Sequence, residues 1–152
     1  MSRTAVSTLD THLGYWLRFV SNHVSHAFKA QVETRGVTVA EWVVLRAMYD
    51  GKTGAAHEIA ERLGMTRGAI SKLVDRLAAK SLLTRRASKE DRRYQELALT
   101  GAGRELVPQL AALADANDEE FFGGLKKQER ELLADLLKRI VRDRGLKDVP
   151  VD

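Results

Sequence analysis

The segment from residue 55 to residue 99 constrains the fold of this chain more than any other part. Its apolar spacing predicts two short helices, the first over about 56–63, with a turn at Gly64 between them. Thr66 is placed to cap the second helix, which runs to about Lys80. Two strand-like runs follow one after the other, so they predict a β-hairpin and not a βαβ unit. This order is typical of a helix-turn-helix followed by a wing.

Apolar residues that recur every three or four positions predict four further helices around this segment. These helices span 6–35, 38 to about 50, 101–122 and 126–144. Thr38, followed three residues later by Glu41, predicts a capping box at the start of the second of them. The predicted fold class is mainly α with a small β-hairpin wing, in the order ααααββαα. At 152 residues, the chain 1–152 is expected to form a single domain.

The positive charge of the chain is concentrated in one stretch. The formal net charge is +4, but residues 62–93 hold ten basic and three acidic side chains, a net charge of +7. The remainder of the chain carries a net charge of −3. Such an asymmetry is typical of a surface that binds a polyanion. A solvated basic face without a partner is the alternative that charge alone leaves open.

Several kinds of protein are disfavoured by what the sequence lacks. No run of about 18 apolar residues is present, so we predict no transmembrane helix and no membrane partner. The chain has no cysteine, which removes disulfides, thiolate metal ligands and cysteine nucleophiles. The N-terminal residues do not resemble a signal peptide. Together these features favour a cytoplasmic location.

Motifs for catalysis and for cofactors are weak. Residues 51–53 resemble the end of a P-loop, but Arg46 occupies the position of the earlier glycine and no strand precedes it. His23 and His26 are three residues apart, a spacing that can hold a metal ion, but no third ligand lies nearby in the sequence. No Ser/His/Asp arrangement can be argued from the spacing. We therefore predict no enzymatic activity, no cofactor and no metal site.

The second helix of the 55–99 segment has the residues of a DNA-contacting element on its outer face. Its candidate contacts are Thr66, Arg67, Gly68, Ser71, Lys72 and Arg76. The two hydroxyl side chains can bind phosphate oxygens, helped by the free N–H groups of the helix start. Arg67 and Lys72 can reach guanine edges or the backbone, and Gly68 permits a close approach. Arg76, two turns further on, is better placed for a phosphate.

A resemblance to the MarR family of winged-helix regulators rests on the run HEIAERLGMTRGAISKLVDRLAAKSLLTRRASKEDRRYQELALTGAG. Its most specific parts are the recognition-helix text MTRGAISKLVDRL and the wing signature Asp91–Arg92–Arg93. The flanking helices also follow the family order, so the resemblance covers nearly the whole chain. It implies a winged-helix lobe over about 38–99 and a homodimer whose helices 6–35 and 101–144 intertwine.

The resemblance also implies how the wing works. A recognition helix lies in the major groove of double-stranded DNA, and a wing arginine enters the minor groove. By that pattern Asp91 braces the hairpin through a pairing with Arg93, while Arg92 and Arg93 reach the groove. The predicted function is sequence-specific binding of a pseudo-palindromic operator by a homodimer, usually as a repressor. The alternative is a winged-helix module that docks another protein and does not bind DNA, although such a module would not need the long outer helices.

A small aromatic or phenolic effector is predicted to bind between the dimerisation helices and the lobe. His12 and Trp16 on the first helix, and Trp42 and Arg46 on the second, combine aromatic surface with polar groups. The family resemblance also places ligands near this junction. The alternative is that both tryptophans are ordinary core residues.

Overall fold

A computed structural model describes residues 5–51, 54–90 and 93–147 of the chain as six α-helices and one small sheet. The helices are α1 (Leu13–Glu33), α2 (Val39–Tyr49), α3 (Ala56–Leu63), α4 (Arg67–Ala79), α5 (Gly101–Phe122) and α6 (Lys127–Asp143). The strands are β1 (Gly54–Ala55), β2 (Leu83–Ala87) and β3 (Gln95–Leu99). The prediction of a mainly α fold with a β-hairpin after a helix-turn-helix is confirmed.

The sheet contains one strand more than the predicted hairpin. Its order is β1-β3-β2, and both pairings are antiparallel. In β1, Gly54 pairs with Leu97 and Ala55 with Glu96. A strand of two small residues has no alternating pattern of its own, so its sequence carries no strand signal. It exists because the edge of β3 offers it hydrogen-bonding partners.

Three of the helices begin at threonines whose side chains satisfy free backbone N–H groups. Thr38 Oγ1 accepts from the N–H of Glu41 at 3.1 Å, and the Glu41 carboxylate accepts from the N–H of Thr38 at 3.2 Å. The predicted capping box is therefore present. Thr66 and Thr100 each accept, at 3.1 Å, from the N–H three residues further on. These caps fix where α2, α4 and α5 begin.

The first helix begins later than predicted, at Leu13 and not at residue 6. Leu9–Thr11 form a single 3-10 turn, and His12 has extended backbone angles before α1 starts. The hydroxyl of Thr11 donates to the carbonyl oxygen of Thr8 at 2.7 Å. Short polar side chains that bond to nearby backbone compete with helix formation, which explains the delayed start.

The hydrophobic core lies between α2, α3, α4, the sheet and the first half of α5. Its largest fully buried apolar side chains include Leu45, Ile59, Ile70, Leu77, Leu97 and Leu110. α1 lies antiparallel to α5, since Asn117 donates to the Val24 carbonyl at 3.1 Å while Arg35 contacts Gln109 at 2.5 Å. Yet only Val32 of α1 is buried.

A broad apolar surface on α1 and α6 is left uncovered by the chain's own core. α6 has no buried residue, and its six large apolar side chains are between 37% and 59% exposed. These are Leu132, Leu133, Leu136, Leu137, Ile140 and Val141. On α1, Leu13, Trp16, Leu17 and Phe19 are exposed as well. Within the described ranges, no helix has both the length and the apolar character to cross a membrane.

Candidate nucleic-acid interface

Helix α4 buries one face and exposes the other. Ile70, Leu73, Val74 and Leu77 recur at helical spacing and are buried in the core. The opposite face carries the six predicted contact residues, and all six are exposed to solvent: Thr66, Arg67, Gly68, Ser71, Lys72 and Arg76. The packing of α4 therefore leaves its basic and hydrogen-bonding face open to a ligand.

The turn before α4 holds this face in place. Gly64 ends α3 with φ of 63°, a left-handed conformation that favours glycine. The N–H of Met65 donates to the Ala60 carbonyl at 2.9 Å, which closes the turn. The Thr66 hydroxyl uses a lone pair to accept from the N–H of Ala69, so its own proton can still be donated to an outside acceptor. A Cβ built at Gly68 meets nothing within 4 Å, so the packing of the chain does not itself demand a glycine there.

The wing is formed by β2 and β3, which pair from Leu83–Leu99 to Ala87–Gln95. Of the three predicted wing residues, Asp91 and Arg92 lie outside the described residues. Arg93 is exposed, and its guanidinium carbon lies 5.9 Å from the centre of the Tyr94 ring. The predicted pairing of Asp91 with Arg93 therefore stays a prediction.

An ion pair that the sequence did not predict joins the wing to α4. Arg85 Nη1 on β2 lies 2.6 Å from Asp75 Oδ1 on α4. Both side chains are partly exposed, so the pair itself adds little stability. The pair shows that β2 lies beside the second half of α4.

Lys80, one of the ten basic residues of the 62–93 stretch, bonds back to the chain. Its Nζ donates to the Gly36 carbonyl at 2.8 Å and to Glu41 Oε2 at 2.7 Å. Glu41 is 1% exposed. The charge count treated all ten basic residues alike. The sequence does contain a hint of this pairing. Glu41 lies within the apolar pattern of α2, and a buried acid needs a polar or charged partner.

Trp42 and Arg46, two of the four predicted effector residues, line one cleft of about 490 Å³ between α2 and the end of α3. Trp42 packs edge-on against Phe28, with ring centres 6.4 Å apart. Arg46 is paired with Asp50 at 2.6 Å. Arg62 also lines the cleft, and sequence analysis assigned it only to the basic stretch.

His12 and Trp16, the other two predicted effector residues, lie at the start of α1. The indole N–H of Trp16 donates to the Asp10 carbonyl at 2.8 Å, and His12 Nδ1 lies 3.0 Å from the Thr8 carbonyl. The ring contact of Trp42 with α1 is at Phe28, about 18 Å along the helix from Trp16. Neither His12 nor Trp16 lines the cleft that Trp42 and Arg46 share.

Comparisons with known proteins agree with this architecture. Residues 35–93 match the model of the MarR family. The HTH-type transcriptional regulator MhqR of Bacillus subtilis is 27% identical over 123 residues, which are 81% of this chain and 82% of MhqR.

Two solved structures extend the likeness to the flanking helices. BpsR of Bordetella bronchiseptica, whose DNA binding is regulated by 6-hydroxynicotinic acid, matches with a TM-score of 0.80 at 25% identity, over 90% of this chain and 97% of BpsR. CouR of Rhodococcus jostii, bound to p-coumaroyl-CoA, matches with a TM-score of 0.78 at 26% identity, over 89% and 95% of the two chains.

Proposed function

We propose that this chain, whose residues 35–93 match the MarR family model, is a winged-helix transcriptional regulator of that family and binds a pseudo-palindromic operator as a homodimer. It is a DNA-binding regulator and not an enzyme, as the sequence predicted. We further propose that the chain 1–152 is one domain, that it represses transcription in the cytoplasm, and that a small aromatic acid releases it from DNA.

The observation that best supports operator binding is the contact between α4 and β2. Arg85 of the wing strand lies 2.6 Å from Asp75 of α4, so the exposed face of α4 is next to the basic wing strand. A convex helix flanked by a basic hairpin fits a major groove and the minor groove next to it. In this arrangement Arg67 and Lys72 contact base edges, while Arg76 contacts a phosphate. Thr66 and Ser71 donate to phosphate oxygens, and Gly68 lets the helix approach closely.

The wing supplies the second contact of the proposal. Arg92 and Arg93 enter the minor groove beside each half-site, and Asp91 braces the hairpin. A narrow, A·T-rich minor groove concentrates negative potential and attracts arginine. The wing therefore favours A·T-rich flanks.

The test is a selection followed by titration. Wild-type protein is used to select duplexes from a random pool, and we expect a palindrome of roughly 16–20 base pairs with half-sites one helical turn apart. Affinity for the selected duplex should fall steeply between about 50 and 200 mM salt, because each neutralised phosphate contributes about −0.9 to the log–log slope. A protein-docking module would select no sequence, and that result would overturn the proposal.

The α2–α3 cleft is the proposed effector site. Trp42 offers aromatic surface, and the Arg62 guanidinium can bind a carboxylate, as can that of Arg46 if the ligand replaces Asp50 as its partner. His12 and Trp16 can contribute only if the other protomer brings its α1 to this cleft. The proposal is supported by relatives, since BpsR responds to 6-hydroxynicotinic acid and CouR binds p-coumaroyl-CoA.

A further inference from the structure

The C-terminal end of α4 is fastened to the α1–α2 junction by a buried charge. Glu41, at the start of α2, is 1% exposed, and its Oε2 accepts both from Lys80 Nζ at 2.7 Å and from the N–H of Thr38 at 3.2 Å. Lys80 also donates to the Gly36 carbonyl at 2.8 Å. A buried carboxylate needs a paired charge, so the position of Lys80 is closely determined.

The residues after Lys80 are fastened to the start of α5. The Thr100 hydroxyl donates to the Ser81 carbonyl at 2.7 Å, and the N–H of Thr100 donates to the Leu82 carbonyl at 3.1 Å. At Gly103 the backbones are so close that an added Cβ would overlap the Leu82 carbonyl oxygen. The C-terminal end of α4 is thus attached to both α2 and α5, while its DNA-facing N-terminal end is held by the turn that follows α3.

We infer that Lys80 is a positioning residue for operator binding, which with Glu41 fixes the angle of α4 on the α1–α5 frame. The inference rests on the proposed function, because α1 and α5 belong to the proposed dimerisation frame. A fixed angle in each protomer fixes the separation and rotation of the two recognition helices. Lys80 therefore sets which half-site spacing the dimer accepts, without touching DNA.

The way in which operator affinity depends on half-site spacing distinguishes a positioning role of Lys80 from a contribution to stability alone. Adding or removing one base pair between half-sites turns one of them by about 34° and moves it by about 3.4 Å. We expect wild-type protein to lose about tenfold or more in affinity on either change, as a 1.4 kcal/mol mismatch would give. Lys80→Met should bind the selected duplex about tenfold more weakly than wild-type protein. The same spacing changes should lower the affinity of this variant by only about threefold or less.

Two variants serve as controls. Lys80→Arg keeps the charge and should restore most of the spacing dependence. Lys29→Met removes a lysine from an exposed pair with Glu33, at 3.8 Å on α1, and should leave the spacing profile unchanged. If Lys80→Met does not fold, Glu41→Gln combined with Lys80→Met removes the buried charge while keeping an acceptor for the Thr38 N–H.

The possible results separate the inference from the function on which it rests. A variant that binds every spacing more weakly by the same factor has lost only stability, and the positioning role of Lys80 would be refuted. The positioning role would also be refuted if the double variant discriminated between half-site spacings as strongly as wild-type protein does. If wild-type protein selects no palindrome at all, the proposed function fails first. A flattened spacing profile in the variants supports the inference.

Discussion

Two arginines on the exposed face of α4 are suited to different parts of DNA binding. Arg67 is the first residue of the helix, and Arg76 lies about 13 Å further along its axis. A helix that enters a groove with its N-terminal end brings its first turn to the base edges and its later turns past the phosphates. Contacts to bases carry sequence information, whereas contacts to phosphates do not.

Replacing each arginine should therefore give a different result. Arg67→Ala should cost about 1–3 kcal/mol on the selected operator and relax the preference for one base pair. Arg76→Ala should weaken binding to all sequences alike and reduce the salt slope by about 1. Competition titrations with single-base operator variants measure both effects. Unchanged affinity and specificity in both variants would mean that α4 is not the recognition helix.

Two neighbouring acids in the wing test the bracing role of Asp91, because their replacement should change DNA affinity in opposite directions. Glu90 is exposed, whereas Asp91 is the proposed brace. Removing either negative charge should tighten DNA binding on electrostatic grounds alone. We expect Glu90→Ala to do so, and Asp91→Ala to weaken binding, most clearly on duplexes with A·T-rich flanks. Tighter binding by Asp91→Ala would show that it does not brace the wing.

For individual residues, the sequence predicted which side chains are exposed better than it predicted which side chains pair with each other. The six contact residues of α4 follow from helical periodicity, because Ile70 and Leu73 must face the core. The Lys80–Glu41 and Arg85–Asp75 pairs join residues 39 and 10 positions apart. Such partners depend on how elements pack against each other, which periodicity within one element does not contain.

Helices and strands were predicted well where local chemistry determines their ends. Thr38, Thr66 and Thr100 cap their helices because a hydroxyl at that position satisfies a free N–H. The missed strand β1 depends on pairing with β3, which lies about 40 residues away in the chain. The missed start of α1 depends on competing side-chain bonds around Thr8. Local signals were reliable, and long-range or competing interactions were not captured.

Two glycines at the start of α5 test how closely this helix packs on Leu82, the residue before β2. A Cβ at Gly103 would overlap the Leu82 carbonyl oxygen, whereas a Cβ at Gly101 meets nothing within 4 Å. Gly101→Ala should stabilise the fold by about 0.4–1 kcal/mol by restricting the unfolded chain. Gly103→Ala should destabilise it by about 1–3 kcal/mol because backbone must move. Urea unfolding of both variants checks the contrast, and equal midpoints would contradict it.

An effector can release the whole molecule from DNA only if its affinity differs between the DNA-free and the DNA-bound protein. The chain has two tryptophans, and only Trp42 lines the α2–α3 cleft. In a Trp16→Phe variant, a hydroxybenzoate should therefore change the fluorescence of a single reporter in the cleft. A tenfold loss of operator affinity needs only about 1.4 kcal/mol of differential binding.

The matched variant Trp42→Phe tells the proposed site from a distant one. It should lose the ligand-dependent fluorescence change and weaken the ligand's effect on operator binding. A saturating signal from Trp42 with unchanged operator affinity would show a pocket without regulation. If no aromatic acid changes either signal, Trp42 is only a packing residue against Phe28.

The exposed apolar face of α6 bears on the oligomeric state of the protein in solution. Its six large apolar side chains are about half covered, so burying the remainder against a second copy would contribute on the order of 1 kcal/mol each. We expect wild-type protein to sediment as a dimer at micromolar concentration. Ile140→Glu places a charge in the middle of this face and should shift the equilibrium to monomer. Lys138→Glu, on the polar side of the same helix, should not.

Dimerisation and operator binding should fail together in Ile140→Glu, because a palindrome is bound tightly only when the two lobes are linked. Each lobe alone gains half of the contacts, so affinity for the full operator should drop to that for an isolated half-site. Selected duplexes with one or two half-sites, titrated with each variant, measure this directly. A folded monomer of wild-type protein that keeps full affinity for the palindrome would contradict the dimer, and would leave the apolar face of α6 to another partner.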